Sequence, residues 1–344
     1  MLVALWFTTK IQVDTNVIEY FKKSSPVRTS MDFVEKHLSG VNSLDISLQA
    51  AEEDAFKDPV YLKVIENLQN YIKSLNGVDA TMSHVDFIKK MNKAFHRDEG
   101  RYYTIPDNKK LVTQYLLLYG ASDIEKFINE NYDHARIAVR ISEHSSAKQE
   151  KLIENIQTYI NKINFPGVNI KITGQSFKEV SAIRSIVQNQ ISSIELAVIV
   201  ITIIMTFVAF RSLYIGFLSL VPNICPLILN FGIMGAFGIP LNTATTLIST
   251  VALGLAVDNT IHFLSEYQRK RAKNISIPQA VEDIIFSKGR ALLSSSFILC
   301  IGFGVLIFAS FEPIVYFGIL SALIMFIDVA LDMFFMPALL LLRK

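Results

Sequence analysis

The feature that most limits what this chain can become is a series of five long apolar segments, roughly residues 191–210, 213–236, 241–265, 291–310 and 314–342, separated by polar connections. Each has about the 20 apolar residues that a helix needs to cross the ~30 Å hydrocarbon core of a bilayer. No water is available there to bond exposed backbone groups, so each segment must be a helix. Mean hydropathy is +0.36, yet most of the charge lies before residue 190. Two solvents are implied, water for the first half and lipid for the second.

The polar first half mixes acids with bases, and the net charge of the 344 residues is only +2, so nucleic acid is not expected as a partner. Cys225 and Cys300 both fall within apolar runs, which leaves no disulfide framework in the polar part. Residues 1–10 begin with Met1-Leu-Val-Ala-Leu-Trp-Phe7, too short to cross a bilayer and lacking the basic n-region and cleavage site of a signal peptide. They read as the outer end of a truncated transmembrane helix, followed by a water-facing domain at 11–190 and a transmembrane domain at 191–344.

Orientation follows from lysine and arginine. Arg211, then Arg269, Lys270, Arg271, Lys273, Lys288 and Arg290, then the terminal Arg343-Lys344 fall on one side by parity, and the opposite connections carry none. The basic side is expected to be cytoplasmic, which puts residues 11–190 in a periplasm-like space and the C-terminus in the cytoplasm. Pro222, Asn223, Pro226 and Asn230 in the second span call for a bend and for partners inside the membrane. Between the third and fourth spans, Ser276 and Pro278 start a helix with Ala280, Val281, Ile284 and Ile285 on one face, expected to lie along the membrane surface.

In the polar domain Leu44, Ile46 and Leu48 alternate with Asp45, Ser47 and Gln49, the signature of a half-buried strand. Asp58-Pro59 then starts a helix with Val60, Val64, Leu68, Tyr71 and Ile72 on one side, and Val78–Met82 returns as a strand. A second unit repeats the order: Ile137, Val139 and Ile141; a helix capped by Ser146 with Gln149 and faced by Leu152, Ile153, Ile156 and Ile160; then Val168, Ile170 and Ile172. Two β-α-β units joined by a polar, helical middle at 96–132 predict an α+β domain of ferredoxin-like connectivity. From Gly174 a helix is expected to run on into the first span as a rigid link.

The chemistry sits in the third and fifth spans. Asp258 and His262 lie one helical turn apart, Gly254 a turn above is expected to pack against a neighbouring helix, and Asp328 and Asp332 repeat the i, i+4 spacing. At 1.5 Å per residue from the outer ends, Asp258 lies about 26 Å deep and the two fifth-span aspartates about 21 and 27 Å. Ionisable groups inside a span are costly and mark ion pathways, and a carboxylate beside an imidazole can exchange protons near neutral pH. Asp258, His262, Asp328 and Asp332 are therefore the proton-relay candidates. Asn259, Thr260, Ser294 and Ser295 are expected to support them, the serines alternatively bonding back to their own helix. The five other histidines, His37, His84, His96, His134 and His144, show no metal-ligand spacing and read as surface or structural.

At these residues the chain resembles the RND superfamily of exporters, in its MMPL-like hydrophobe/amphiphile branch. The resemblance rests on Gly238-Ile-Pro-Leu-Asn242 and on Gly254-Leu-Ala-Val-Asp-Asn-Thr-Ile-His-Phe263. Tyr20-Phe-Lys-Lys-Ser-Ser-Pro-Val-Arg28, Gly289-Arg-Ala291, Phe311-Glu-Pro313, and Asp332 ahead of Pro337-Ala-Leu-Leu340 support it. It implies a transporter of two repeats, each with one helix, a periplasmic porter domain and five further helices, of which this chain matches the C-terminal half. It also implies proton-driven expulsion of lipids or other amphiphiles from a bacterial inner membrane. Asp258 matches the acidic position of the family's fourth helix, while Asn259 departs from the second acid or tyrosine often found there. The partners implied are an amphiphilic substrate, membrane lipids, a missing half or second copy, and a periplasmic lipid carrier. No cofactor and no enzymatic activity are expected. The rival expectations are a sterol-sensing-like lipid-binding module that does not pump, and an inactive half.

Overall fold

The computed structural model describes residues 1–119, 121–163, 165–209 and 211–342, so the Arg343-Lys344 tail used in the orientation argument lies outside the described residues. The chain divides into two compact units, Lys23–Ala182 and Met1–Lys22 with Ile183–Lys344. Residues 11–22, read above with the polar domain, cluster with the spans.

In the unit Lys23–Ala182, four strands, β1 (Asn42–Ala50), β2 (Val78–Met82), β3 (His134–Ile141) and β4 (Val168–Thr173), form an antiparallel sheet in the order β2-β3-β1-β4. Ile46 stands between Ile137 of β3 and Ile172 of β4, and period-2 alternation turns Leu44, Ile46, Leu48, Ile137, Val139 and Ile141 into the core. The helix Pro59–Lys73 connects β1 to β2 and the helix Ser146–Ile163 connects β3 to β4. The two crossovers interlock, because β3 separates β1 from β2 and β1 separates β3 from β4.

Asp58 accepts from the Val60 amide at 2.9 Å, with Pro59 at the first helical position where no donor is needed. The buried face of that helix is Leu62, Ile65, Leu68 and Ile72; Val60, expected on it, is 64% exposed because it falls in the capping turn. The helix after β3 is capped one residue earlier than expected, since the Lys148 amide donates to Ser145 Oγ at 3.3 Å and Gln149 Nε2 reaches the Glu143 carbonyl at 2.7 Å. The middle segment supplies Ile105, Val112, Tyr115, Leu116, Ile124 and Ile128 to the core. Buried Asn92 ties it down, donating to the carbonyls of Tyr102 and Thr104 at 3.0 Å and accepting from Tyr115 Oη at 3.2 Å. His84 is fully buried beside Phe56, and loss of hydration pushes its imidazole down to about 4, opposed by a Phe56 backbone group.

Five helices of the membrane unit are long and apolar enough to cross a bilayer: Gln175–Phe207, Leu213–Phe237, Thr243–Ala272, Ile277–Phe308 and Glu312–Leu341. The first is unbroken through Gln175–Ile203 and closes on a π turn, Ile204–Ala209. The third runs seven residues beyond the apolar segment, to Ala272, and the fourth begins at Ile277. No separate surface helix exists at 276–290 among the described residues. Ala280, Val281 and Ile284 instead pack against Phe263, Leu264, Tyr267, Met336 and Leu340. A 30-residue helix is about 45 Å long, so the third span outruns the hydrocarbon layer. Its charged end is held to the fourth by Lys270 on Asp283 at 2.9 Å.

The N-terminal helix Leu2–Thr8 rests on the second span at two glycines. A Cβ at Gly232 would stand 2.8 Å from Ala4 Cβ, and one at Gly235 would overlap the Phe7 carbonyl. At the bundle end opposite the basic connections, Gly238 closes the second helix at φ +66° and Asn242 caps the third, accepting from the amides of Ala244 and Thr245 at 3.0 and 2.9 Å. Val13 bridges to Leu241 there, and Phe21 bridges to Phe311, whose ring meets Tyr20 and Phe21 edge-on at 5.4 and 5.7 Å. Several of the short motifs quoted above thus form one rim.

Candidate intramembrane site

Successive helical residues point about 100° apart, so Asp258, Asn259 and Thr260 of the third span cannot share a direction. Asn259 and Thr260 turn inward, toward the second and fifth spans. Asn259 Nδ2 donates to Asp328 Oδ2 at 2.8 Å. The Thr260 hydroxyl lies 3.2 Å from Asn223 Oδ1 and 3.4 Å from Asp332 Oδ1. Asn223 in turn donates to the Ser219 carbonyl, one turn earlier, at 2.8 Å. Three spans thereby contribute to one buried polar cluster.

Asp328 is 1% exposed and Asp332 is fully buried. Asp328 belongs to the helix Glu312–Ala330, and Asp332 to the π turn Leu331–Phe335 that follows, a widened turn of the kind often found at functional positions. Asp328 Oδ1 and Asp332 Oδ2 have no hydrogen-bond partner, and no lysine or arginine occurs among the described buried residues. A buried carboxylate needs compensation by a counter-charge. Nearer the rim, Asn230, Ser249 and Ser321 are also buried with unpartnered side-chain oxygens, groups that call for water.

Asp258 and His262 are not brought to this cluster. Their side chains are 69% and 68% exposed, with His262 Nε2 3.5 Å from Asp258 Oδ1. Gly254, expected to pack a neighbouring helix, has open space where a Cβ would stand, and Ser265 continues the exposed stripe. Ser294 and Ser295 do not join the cluster either. Both are exposed, and Ser295 bonds back to the Leu292 carbonyl at 3.0 Å, because the buried face of the fourth span at this level belongs to Leu292 and Ser296. Asn223 was missed as a site residue. Its signal is an amide at membrane depth, which calls for partners inside the membrane without saying which.

Residues 48–343 match the MMPL family. The chain belongs to the MMPL family. A relative from Methanocaldococcus jannaschii, named as a membrane protein, is 22% identical over 346 positions, which take in 98% of this chain and 86% of the relative. This MMPL protein is a multi-pass membrane protein with its buried carboxylates in the fifth span described here and its exposed acid/histidine pair in the third.

Proposed function

We propose that this chain is one half of a transporter that uses the proton gradient to export hydrophobic or amphiphilic molecules, lipids among them, from the cytoplasmic membrane. The observation that carries this reading is the pair Asp328 and Asp332, buried with no cationic side chain among the described buried residues and each with an unpartnered oxygen. Protons supply the missing charge, and binding or losing them changes the charge inside the bundle. The orphaned Asn230, Ser249 and Ser321 support a hydrated approach from the rim.

Orientation rests on Arg211 and the cluster Arg269 to Lys273 at one end of the bundle, which favours the cytoplasm. The unit Lys23–Ala182 then faces outward as the porter domain, its interlocked β-α-β units giving it ferredoxin-like connectivity. The stripe of Gly254, Asp258, His262 and Ser265 cannot face lipid without cost, so a second half covers it, either another copy or a partner repeat. Asp258 and His262 act at that interface, as the outer part of the proton relay.

Reconstitution in vesicles tests the reading. With the chain paired to its other half, an imposed pH gradient is expected to drive a fluorescent lysolipid out of the membrane. Asp328→Asn and Asp332→Asn abolish this movement, while Ser294→Ala keeps it. Undiminished gradient-driven movement in both aspartate variants would reject proton coupling at this pair.

A further inference from the structure

A hydroxyl has one proton to donate, and the Thr260 hydroxyl has two acceptors within reach on two different helices: Asn223 Oδ1 at 3.2 Å and Asp332 Oδ1 at 3.4 Å. It can satisfy only one at a time. We infer that Thr260 and Asn223 are positioning residues that report the protonation of Asp332 to the second span. The inference rests on the reading of Asp332 as a proton-binding group.

While Asp332 is ionised it can only accept, so Thr260 donates to it and Asn223 Oδ1 goes without a donor. Once a proton sits on Asp332 Oδ1, the carboxyl O–H donates to Thr260 Oγ1. The hydroxyl then turns to Asn223. No proton crosses Thr260 in this exchange; the direction of two hydrogen bonds reverses. All three side chains are buried, so water does not compete freely for either acceptor. The titratable group acting on Asp332 is Asp328 on its own span, whereas the third and second spans face it with neutral Thr260 and Asn223.

The place where the message arrives is weak by construction. Pro222 and Pro226 lie inside the helix Leu213–Phe237 and have no N–H, so the carbonyls of Leu218 and Pro222 receive no i+4 amide. Asn223 lies between them, and its side chain donates to the Ser219 carbonyl within that stretch. Gaining or losing the Thr260 bond shifts the Asn223 amide group, and with it the side-chain bond to the Ser219 carbonyl. Helices bend at such proline-interrupted positions.

Backbone deuterium uptake over residues 219–230, measured on the full chain in vesicles at mildly acidic and mildly alkaline pH, tests the link. In the wild type the uptake, corrected for the intrinsic pH dependence of exchange, is expected to differ about fivefold between the two conditions, the size of one hydrogen bond between neutral groups. Thr260→Val removes the difference and Thr260→Ser restores it, while the protonated-carboxyl infrared band of the pair still responds to pH in both. Asn223→Leu, which removes the acceptor from the other helix, also abolishes the difference and keeps the experiment decisive if Thr260→Val does not fold. Persistence of the difference in Thr260→Val or in Asn223→Leu, with the band still titrating, would overturn the inference and leave Asp332 as the proton site. A band unaffected by Asp328→Asn and Asp332→Asn would instead overturn the functional reading beneath it.

Discussion

His84 makes the stability of the water-facing unit depend on pH in a way that can be worked out in advance. Its imidazole is held at about 4 in the folded unit, against 6.5 for a free histidine, because it is fully buried. Between these values the unfolded chain binds the proton and the folded one does not, so stability is complete above the unfolded pKa and falls as the pH drops toward 4. The gap of 2.5 units between 6.5 and about 4 limits the loss to about 3.4 kcal/mol, with about 2 kcal/mol gone at about pH 5. That corresponds to roughly a 30-fold rise in the opening equilibrium. Hydrogen exchange of the core amides of β1 and β3 reads it, corrected for the intrinsic pH dependence of exchange. His84→Leu fills similar space and cannot titrate, so its opening at about pH 5 should lack this increment. Equal pH dependence in the wild type and His84→Leu would refute the assignment.

Other perturbations have defined outcomes. Ile46→Ala, at a fully buried position in the centre of the sheet, should cost about 2–5 kcal/mol in the unfolding of the outer unit, read by denaturant titration. Asn242→Ala removes the side-chain acceptor at the start of the third span and should cost about 1 kcal/mol, seen as faster exchange at Ala244 and Thr245. Gly235→Val places a side chain onto the Phe7 carbonyl and should release the N-terminal helix, making the peptide bond after Lys10 susceptible to trypsin. Gly254→Cys, on the uncovered stripe of the third span, should form a cross-link to a second half in native membranes; its absence under oxidising conditions would leave Asp258 and His262 without the interface assigned to them.

Hydropathy alone located all five spans, because a run of apolar residues long enough to cross has few other places to go. It misjudged the third span and the approach to the fourth. Glu266 to Arg271 look like a loop on a hydropathy scale, yet they continue a helix that has left the membrane and packs Tyr267 and Leu264 against Ile284. In the polar unit the alternation of β1 and β3 was plain. The helix after β1 was misphased because Val60 shares the apolar character of the core positions but sits in the capping turn. For the site, Asp258/His262 and Asp328/Asp332 have the same spacing, and spacing does not tell which face a helix turns inward. That choice depends on the second and fifth spans packing against Asn259 and Thr260. Asn223, far away in sequence, enters only through that packing.

The most direct test of the central claim is an infrared titration of the protonated-carboxyl band in the reconstituted protein, comparing wild type with Asp328→Asn, Asp332→Asn and Asp258→Asn. A pH-dependent band that is diminished by each fifth-span substitution and retained in Asp258→Asn is the predicted result. A band that survives both fifth-span substitutions and disappears with Asp258→Asn would place proton binding on the exposed face of the third span and contradict the role given to the buried pair.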